Sequence, residues 1–380
     1  MRLAEGLRRH GYSGTVTIVA GETTDPYDRP QLSKRLLVGG APDAPLMDRA
    51  SALALDIDLR VGRRAVALDA DARHAVLDDG TAVRYDAAVI ATGARPRSLA
   101  ALNGERVHTL RTLDDTRHLR ADILQAKCLT IVGGGFIGSE VAASARSVGA
   151  AVTLVESLSG PIARVVGSHM AQRFTDAHTL AGVDLRLGQS VLGSSDHDGG
   201  RSLLVENGFP IPAELLLVAV GVTPDTDWLE GSGLDVDDGV VCDAWGRASM
   251  DGVWSMGDVA RWYVPSIGRP RRFEHWTSAA DQAEVIAFEM AVGHAPAHEP
   301  VPYVWSDQYG VRYQIVGTPD SADDVRMLAD EGPASFLAVY SRNDRLTAAF
   351  SAGMPRPVAK LRRLLTAGTD VAAAAAGVGL

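Results

Sequence analysis

The chain reads as an α/β protein with two parallel βαβ units and a smaller C-terminal α+β domain. Three observations predict this. A strand, glycine loop, helix and strand follow one another at Cys128–Ser157, and a partial copy of that pattern opens the chain. Beyond the Pro/His-rich stretch "GHAPAHEPVP" (Gly293–Pro302) the pattern changes to apolar strand runs and a basic helix. With 380 residues, 46% of them hydrophobic, the chain can fill the cores of roughly two or three domains.

In chain order, "MRLAEGLRRHG" predicts a helix carrying Leu3 and Leu7 among basic residues. Thr15–Ala20 predicts a buried strand with a carboxylate, Glu22, near its tip. Leu59–Val61, Ala65–Leu68 and His74–Leu77 predict a small antiparallel sheet. The strongest local signal is "CLTIVGGGFIGSEVAASARSVGAAVTLVES". Leu129–Val132 is a strand, Gly133-x-Gly135-x-x-Gly138 a loop, and Val141, Ala142, Ala145 and Val148 the apolar side of a helix. Val152–Val155 is a second strand, ending at Glu156, 18 residues after Gly138. The glycines supply a tight turn, close backbone approach to a pyrophosphate and close helix–strand packing. The helix N-terminus offers free N–H groups and the positive dipole end. Glu156 is placed to accept from an adenosine ribose and to repel a 2′-phosphate. NADH is therefore favoured over NADPH, with Arg164 nearby as the opposing charge.

"LRRHGYSGTVTIVAGE" matches "ARSVGAAVTLVES" in kind: helix end, glycine, apolar strand, acid. Aligning Gly11 with Gly149 places Met1 opposite Ser139, just after the last glycine of the second copy. The first copy has no strand or glycine loop ahead of its helix. The expectation is a true start upstream of Met1. The missing strand would be the central one of the first sheet, and its absence leaves backbone groups on the flanking strands without partners at ~1–3 kcal/mol per buried orphan. Two such units imply two dinucleotides exchanging hydride, one a nicotinamide and the other a flavin; a chance helix–strand similarity is the alternative.

Composition narrows the classes. A net charge of −10 argues against nucleic acid or an anionic membrane as main partner. No apolar run reaches the ~20 residues of a membrane span, and no signal-peptide core opens the chain, which predicts a cytoplasmic protein. Cys128 and Cys242 lie 114 positions apart, each in or beside an apolar run, so a dithiol relay is not expected. The ten histidines show no metal-ligand spacing, and no metal site is predicted.

Six further segments occur in order: "PYDRPQLSKRLL", "DAAVIATGARPR", "VAVGVTPDTDWL", "VWSMGDVARW", "RRFEHWTSAADQA" and "WSDQYGVRYQIVG". Together they make the chain, from Met1 to about Ala367, similar to the FAD-dependent ferredoxin reductases that supply cytochromes P-450 and ring-hydroxylating oxygenases. Apoptosis-inducing factor and NADH:rubredoxin reductases are wider relatives. The resemblance implies two Rossmann-like domains, with FAD at residues 1–108 and 225–297 and NAD at 109–224, followed by an α+β domain at 298–380. It implies electron transfer from NADH through FAD to a ferredoxin.

The resemblance also implies roles at matching positions. Glu22 corresponds to the FAD ribose acid, Arg29 to a residue of the FAD-contacting stretch, and Ala65 to backbone groups facing the adenine. Lys34 corresponds to a lysine beside the flavin ring that pairs with the glutamate matching Glu140. Ala91, Thr92 and Gly93 form the turn near the flavin. Arg111 and Asp258 match residues holding the diphosphate and ribityl chain, and the Trp276 backbone reaches the pyrimidine edge. Gly133, Gly135, Phe136, Ile137, Gly138, Glu156 and Gly221 form the NAD set. Each role has a plainer alternative: a helix cap for Asp258, a solvated residue on a short helix for Lys34, a core filler for Trp276.

Two basic clusters, Arg269/Arg271/Arg272 and Lys360/Arg362/Arg363, could steer an acidic ferredoxin. The second lies on a helix whose Val358, Leu361 and Leu365 face inward. "FLAVY" and "LTAAFS" predict adjacent strands, and "DVAAAAAGVGL" a loose tail. Two other readings stand beside the reductase. One is a flavin-free NAD-binding relic or scaffold. The other, a peroxide-forming NADH oxidase, is disfavoured, because this chain has no redox cysteine near Ala41, where such an oxidase is expected to carry one.

Overall fold

A computed structural model describes residues 1–42, 44–197, 200–206 and 208–379. The chain divides into two compact units, residues 1–28, 43–95 and 223–302 in the first, and 29–42, 96–222 and 303–380 in the second.

In the first unit, helix Arg2–Arg9 buries Ala4, Gly6 and Leu7 against helix Trp276–Ala291. A Cβ at Gly6 would stand 2.7 Å from that of Ala287, so the two helices meet where a side chain is missing. Strand Val16–Ala20 pairs in parallel with Ile57–Val61, Val16 opposite Ile57. Strand Ala88–Ile90 pairs in parallel with Val253–Ser255. Among the described residues neither pair acquires a further strand, and all five residues of Val16–Ala20 stay half-buried.

The antiparallel sheet consists of Ala65–Asp69, His74–Leu77 and Ala82–Arg84. Leu59–Val61 does not belong to it, against the sequence expectation. Alternating burial is shared by parallel and antiparallel strands, so the pattern of Leu59–Val61 cannot name its partner. Leu68, Ile90, Val253, Val259, Trp262 and Ile286 make up much of this unit's core.

The second unit shows the repeat in complete form. Its parallel sheet has the order Asp184–Leu187, Ala151–Glu156, Cys128–Val132, Leu216–Val218, Val107–His108. Cys128–Val132, which leads into the glycine loop, is therefore hydrogen-bonded on both sides. Helix Leu113–Ala126 starts with a full capping box, in which Thr112 and Asp115 each satisfy the other's backbone N–H.

The C-terminal sheet is antiparallel, with the order Tyr303–Gln308, Val311–Gly317, Arg345–Ala352, Phe336–Arg342, Asp324–Asp330. "FLAVY" and "LTAAFS" are neighbours, as the sequence predicts. One face buries Tyr313, Phe336 and Phe350 on Phe174 and Met170 of helix Ala163–Leu180, with Phe174 and Phe350 stacked at 5.6 Å. Tyr340 closes this core by donating its hydroxyl to the Val166 carbonyl at 2.8 Å.

Residues 371–378 form a helix, Val371–Val378, rather than a loose tail. Five consecutive alanines carry the highest helix propensity, and Asp370 accepts from the Ala373 N–H at 2.7 Å as N-cap. Asp370→Ala is expected to cost about 1 kcal/mol. Amide hydrogen exchange at Ala373 and its neighbours should rise ahead of the rest of the unit.

Candidate nucleotide and redox sites

Each glycine of the loop answers to a different constraint. Gly133 has φ +103°, and a Cβ there would lie 2.5 Å from the Ala219 carbonyl oxygen. A Cβ on Gly138 would lie 2.0 Å from the Gly133 carbonyl oxygen, closing the helix against the loop. Gly135 is the N-cap of helix Phe136–Ser147 at φ −67°, and a Cβ there meets nothing within 4 Å. That open space over the free N–H groups is the cradle a pyrophosphate needs, so the chain's own backbone fits a dinucleotide.

Glu156 does more than the sequence implies. Its Oε2 accepts from the Gly134 N–H at 2.7 Å, and its Oε1 from the Leu158 N–H at 2.8 Å. The acid at the strand end thereby pins the loop it serves. Ile137 is exposed, and Phe136 packs against the aromatic core of the C-terminal sheet. Gly221, at φ +105°, lies three residues past the end of strand Leu216–Val218.

Helix Phe136–Ser147 also carries Glu140, which is buried. Lys34 donates to Glu140 Oε2 at 2.7 Å. The Ser33 hydroxyl donates to the same oxygen at 2.5 Å, and Ser306 donates to Oε1 at 2.7 Å. Gln308 Nε2 in turn donates to Ser306 Oγ at 2.9 Å. A buried carboxylate without partners costs several kcal/mol; here each oxygen is met by a donor. Lys34 follows the short helix Arg29–Gln31 and is mostly buried, not solvated. It lines an open cavity of about 420 Å³ with Ser144, Arg146, Asp307 and Tyr309. Nothing in the sequence singles out Ser33, Ser306 or Gln308. Ser306 lies 166 positions from Glu140, where no local pattern reaches.

Also in the second unit, Arg29 donates to the Arg111 carbonyl at 2.6 Å, and the Arg111 N–H donates to Asp115. In the first unit, Glu22 accepts from Tyr27 at 2.6 Å. Two buried oxygens in the segment after it, Thr24 Oγ1 and Asp28 Oδ1, have no hydrogen-bond partner. Orphaned oxygens beside a ribose-type acid suit the adenosine end of FAD.

Ala65 opens its strand. Thr92 donates to the Asp225 carbonyl at 2.8 Å within the turn Ala91–Gly93. Asp258 lies in a short 3₁₀ helix, Gly257–Val259, and its backbone carbonyl accepts from Arg272 at 3.2 Å. Trp276 is 39% exposed, with the Arg2 guanidinium 5.8 Å from its ring, so it does not fill the core.

Of the first basic cluster, Arg272 is committed to Asp238 and Glu274, with its side chain 8% exposed. Arg271 lies over the Phe273 ring. Arg269 is exposed. In the second cluster, Lys360 and Arg363 are exposed, while Arg362 lies over Tyr303.

Both cysteines are free, and burial pushes the Cys242 thiol up to about 12, so no thiolate is available there. Among the described residues there is no cluster able to hold a metal and no helix long and apolar enough to cross a membrane.

Comparison with known proteins places these features in a family. Residues 1–283 match the pyridine nucleotide-disulphide oxidoreductase family, and residues 303–377 match the reductase C-terminal domain. The ferredoxin–NAD(+) reductase component of the p-cumate 2,3-dioxygenase system of Pseudomonas putida is 37% identical, over 95% of this chain and 89% of that protein. Rhodocoxin reductase of Rhodococcus erythropolis is 36% identical, over 95% of this chain and 86% of its own length. Among solved structures, the putidaredoxin reductase–putidaredoxin complex superposes with a TM-score of 0.91 at 30% identity, covering 97% of this chain and 90% of that one. A ferredoxin reductase from Rhodopseudomonas palustris gives 0.93 at 31% identity, covering 97% and 92%. The glycine loop, the paired Glu140 and Lys34 and the aromatic-cored C-terminal sheet thus belong to a chain of the pyridine nucleotide-disulphide oxidoreductase family, built like its ferredoxin reductases.

Proposed function

We propose that this chain is an NADH-dependent flavoprotein reductase that passes electrons through FAD to a ferredoxin serving a cytochrome P-450 or an oxygenase, in the cytoplasm. The observation that carries the reading is the pairing of Lys34 with buried Glu140, which stands on the helix that the glycine loop opens, in a chain with no dithiol. Glycine-loop N–H groups and Glu156 bind and orient NADH. Lys34 presents a fixed ammonium that stabilises negative charge developing beside it, and Glu140 holds that ammonium in place. FAD, when bound, supplies the step from two-electron hydride chemistry to one-electron delivery. With Cys242 held as a thiol and Cys128 also pushed up by burial, the electrons leave to an external carrier.

Glu22, Arg29, Lys34, Ala65, Ala91, Thr92, Gly93, Arg111, Asp258 and Trp276 are the FAD residues of this proposal. Gly133, Gly135, Phe136, Ile137, Gly138, Glu156 and Gly221 are its NAD residues. The FAD domain spans residues 1–108 and 225–297, the NAD domain 109–224, and the α+β domain 298–380.

The purified protein is expected to absorb near ~450 nm from oxidised flavin, to bleach with NADH, and to reduce cytochrome c only when a ferredoxin is added. A colourless, monodisperse protein that binds NADH would overturn the flavin assignment.

A further inference from the structure

We propose that Ser306 and Gln308, supplied by the C-terminal sheet, are positioning residues for the Glu140–Lys34 pair. They fix which way the Glu140 carboxylate points and so where Lys34 holds its charge.

The argument rests on the direction of each hydrogen bond. A carboxylate only accepts and an ammonium only donates, whereas a serine hydroxyl has a single proton to give. Gln308 donates its amide N–H into Ser306 Oγ, so that oxygen acts as acceptor on one side. Its proton is then free for Glu140 Oε1. Lys34 and Ser33 take the other carboxylate oxygen. The two oxygens are thereby made inequivalent, and the carboxylate plane is held at both ends.

Gln308 is 1% exposed, and its Oε1 has no partner. Turned the other way, the amide would present Oε1 to Ser306 and draw the hydroxyl proton away from Glu140. The observed orientation leaves a buried acceptor unpaired and keeps the donor on Glu140. Ser306 is fully buried, so water does not compete for these bonds. Ser306 has one proton to give, so the direction of its bond with Gln308 decides whether Glu140 Oε1 receives it.

Any consequence for catalysis rests on the reductase reading above; the positioning itself is measurable without it. The probe is competitive labelling of Lys34 with acetic anhydride, followed by peptide mass spectrometry, on the full chain. Lys34 lines an open cavity and is reachable, and its pairing with Glu140 protects it. Glu140→Gln is expected to raise the labelling rate most. Ser306→Ala should fall between that variant and wild type, roughly 3- to 10-fold above wild type, with Gln308→Met giving a smaller rise in the same direction. The thermal midpoint of each variant is measured alongside, and the comparison is made well below it. If Ser306→Ala alters folding, Gln308→Met carries the test, because it leaves every donor to Glu140 in place.

Labelling of Lys34 at the wild-type rate in both folded variants would overturn the proposal. In parallel, NADH-driven bleaching of the flavin is followed. A roughly 10-fold loss of rate in Ser306→Ala with little change in KM for NADH marks an effect on the reacting complex, not on binding. If wild type shows no flavin reduction while the labelling order holds, the positioning stands and the reductase reading fails.

Discussion

Gly138→Ala should weaken NADH binding strongly and lower stability together, whereas Gly135→Ala should weaken binding as much while leaving stability nearly unchanged. The contrast follows from where each Cβ would go. On Gly138 the new carbon lies 2.0 Å from the Gly133 carbonyl oxygen and 3.3 Å from Ile131 Cγ2. Backbone cannot yield as a flexible side chain can, so the helix must lift from the loop and the sheet beneath it. Overpacking of this kind costs roughly 1–3 kcal/mol, and it spoils the aim of the N–H groups at the same time. On Gly135 the carbon meets no protein atom within 4 Å, and the residue already has a φ of −67° that alanine adopts freely. Its cost falls on the ligand, because the methyl group occupies the approach to the pyrophosphate. A loss of about 3 kcal/mol in binding, roughly 100-fold in Kd, is expected for both variants. Fluorescence titration with NADH and thermal unfolding separate the two effects. Normal NADH affinity in Gly135→Ala would mean that the dinucleotide binds elsewhere.

These glycines were legible because the constraint on each is local: a turn, a helix start and a strand within a few residues. Strand Leu59–Val61 shows the limit. Its alternation forecast a strand correctly but could not give its partner, since register and direction depend on Val16–Ala20, some forty residues earlier. The alanine run at the C-terminus was misread for a different reason. Low complexity suggests disorder, yet alanine is the best helix former and Asp370 stands where a cap must be.

The site divides in the same way. Glu156 could be read from spacing, whereas its grip on the Gly134 N–H needs the loop's three-dimensional path. Glu140 and Lys34 are legible through the resemblance; Ser33 and Ser306 lie inside the segments that carry it, yet nothing in the sequence pairs them with Glu140. A basic cluster in the sequence also overstates free charge: Arg272 spends its guanidinium on Asp238, Glu274 and two carbonyls.

The second large effect concerns acid. His178 is completely buried on helix Ala163–Leu180. Its Nδ1 shares a hydrogen bond of 2.6 Å with the Tyr309 hydroxyl, and its Nε2 has no partner. A neutral imidazole needs one donor site and one acceptor site, while the imidazolium must donate from both nitrogens. At Nε2 nothing receives that proton, and burial therefore pushes the His178 pKa down from 6.5 to about 4. The unfolded chain takes up the proton below about 6.5 and the folded chain refuses it until about 4, so between these values the unfolded state binds more protons. Stability contributed by the neutral ring is fully present above pH 6.5 and is lost as pH falls through this window. The shift corresponds to about 3 kcal/mol at pH 4.

His178→Phe gives up the Tyr309 bond, so it should be less stable than wild type at pH 7.5 by about 1 kcal/mol. Its stability should then fall less steeply on acidification, because it has no ring to charge. Urea unfolding of both proteins at intervals from pH 7.5 to 4.5 measures the two slopes. The carboxylates are common to both chains and cancel in the difference. Parallel slopes would show that His178 is not the group resisting protonation; converging curves, meeting or crossing on the acid side, are the expected result. Because Tyr309 lies in the turn between strands Tyr303–Gln308 and Val311–Gly317, the same titration reports on the segment that carries Ser306 and Gln308. Acid that opens the His178–Tyr309 contact is expected to release the hold on Glu140 as well.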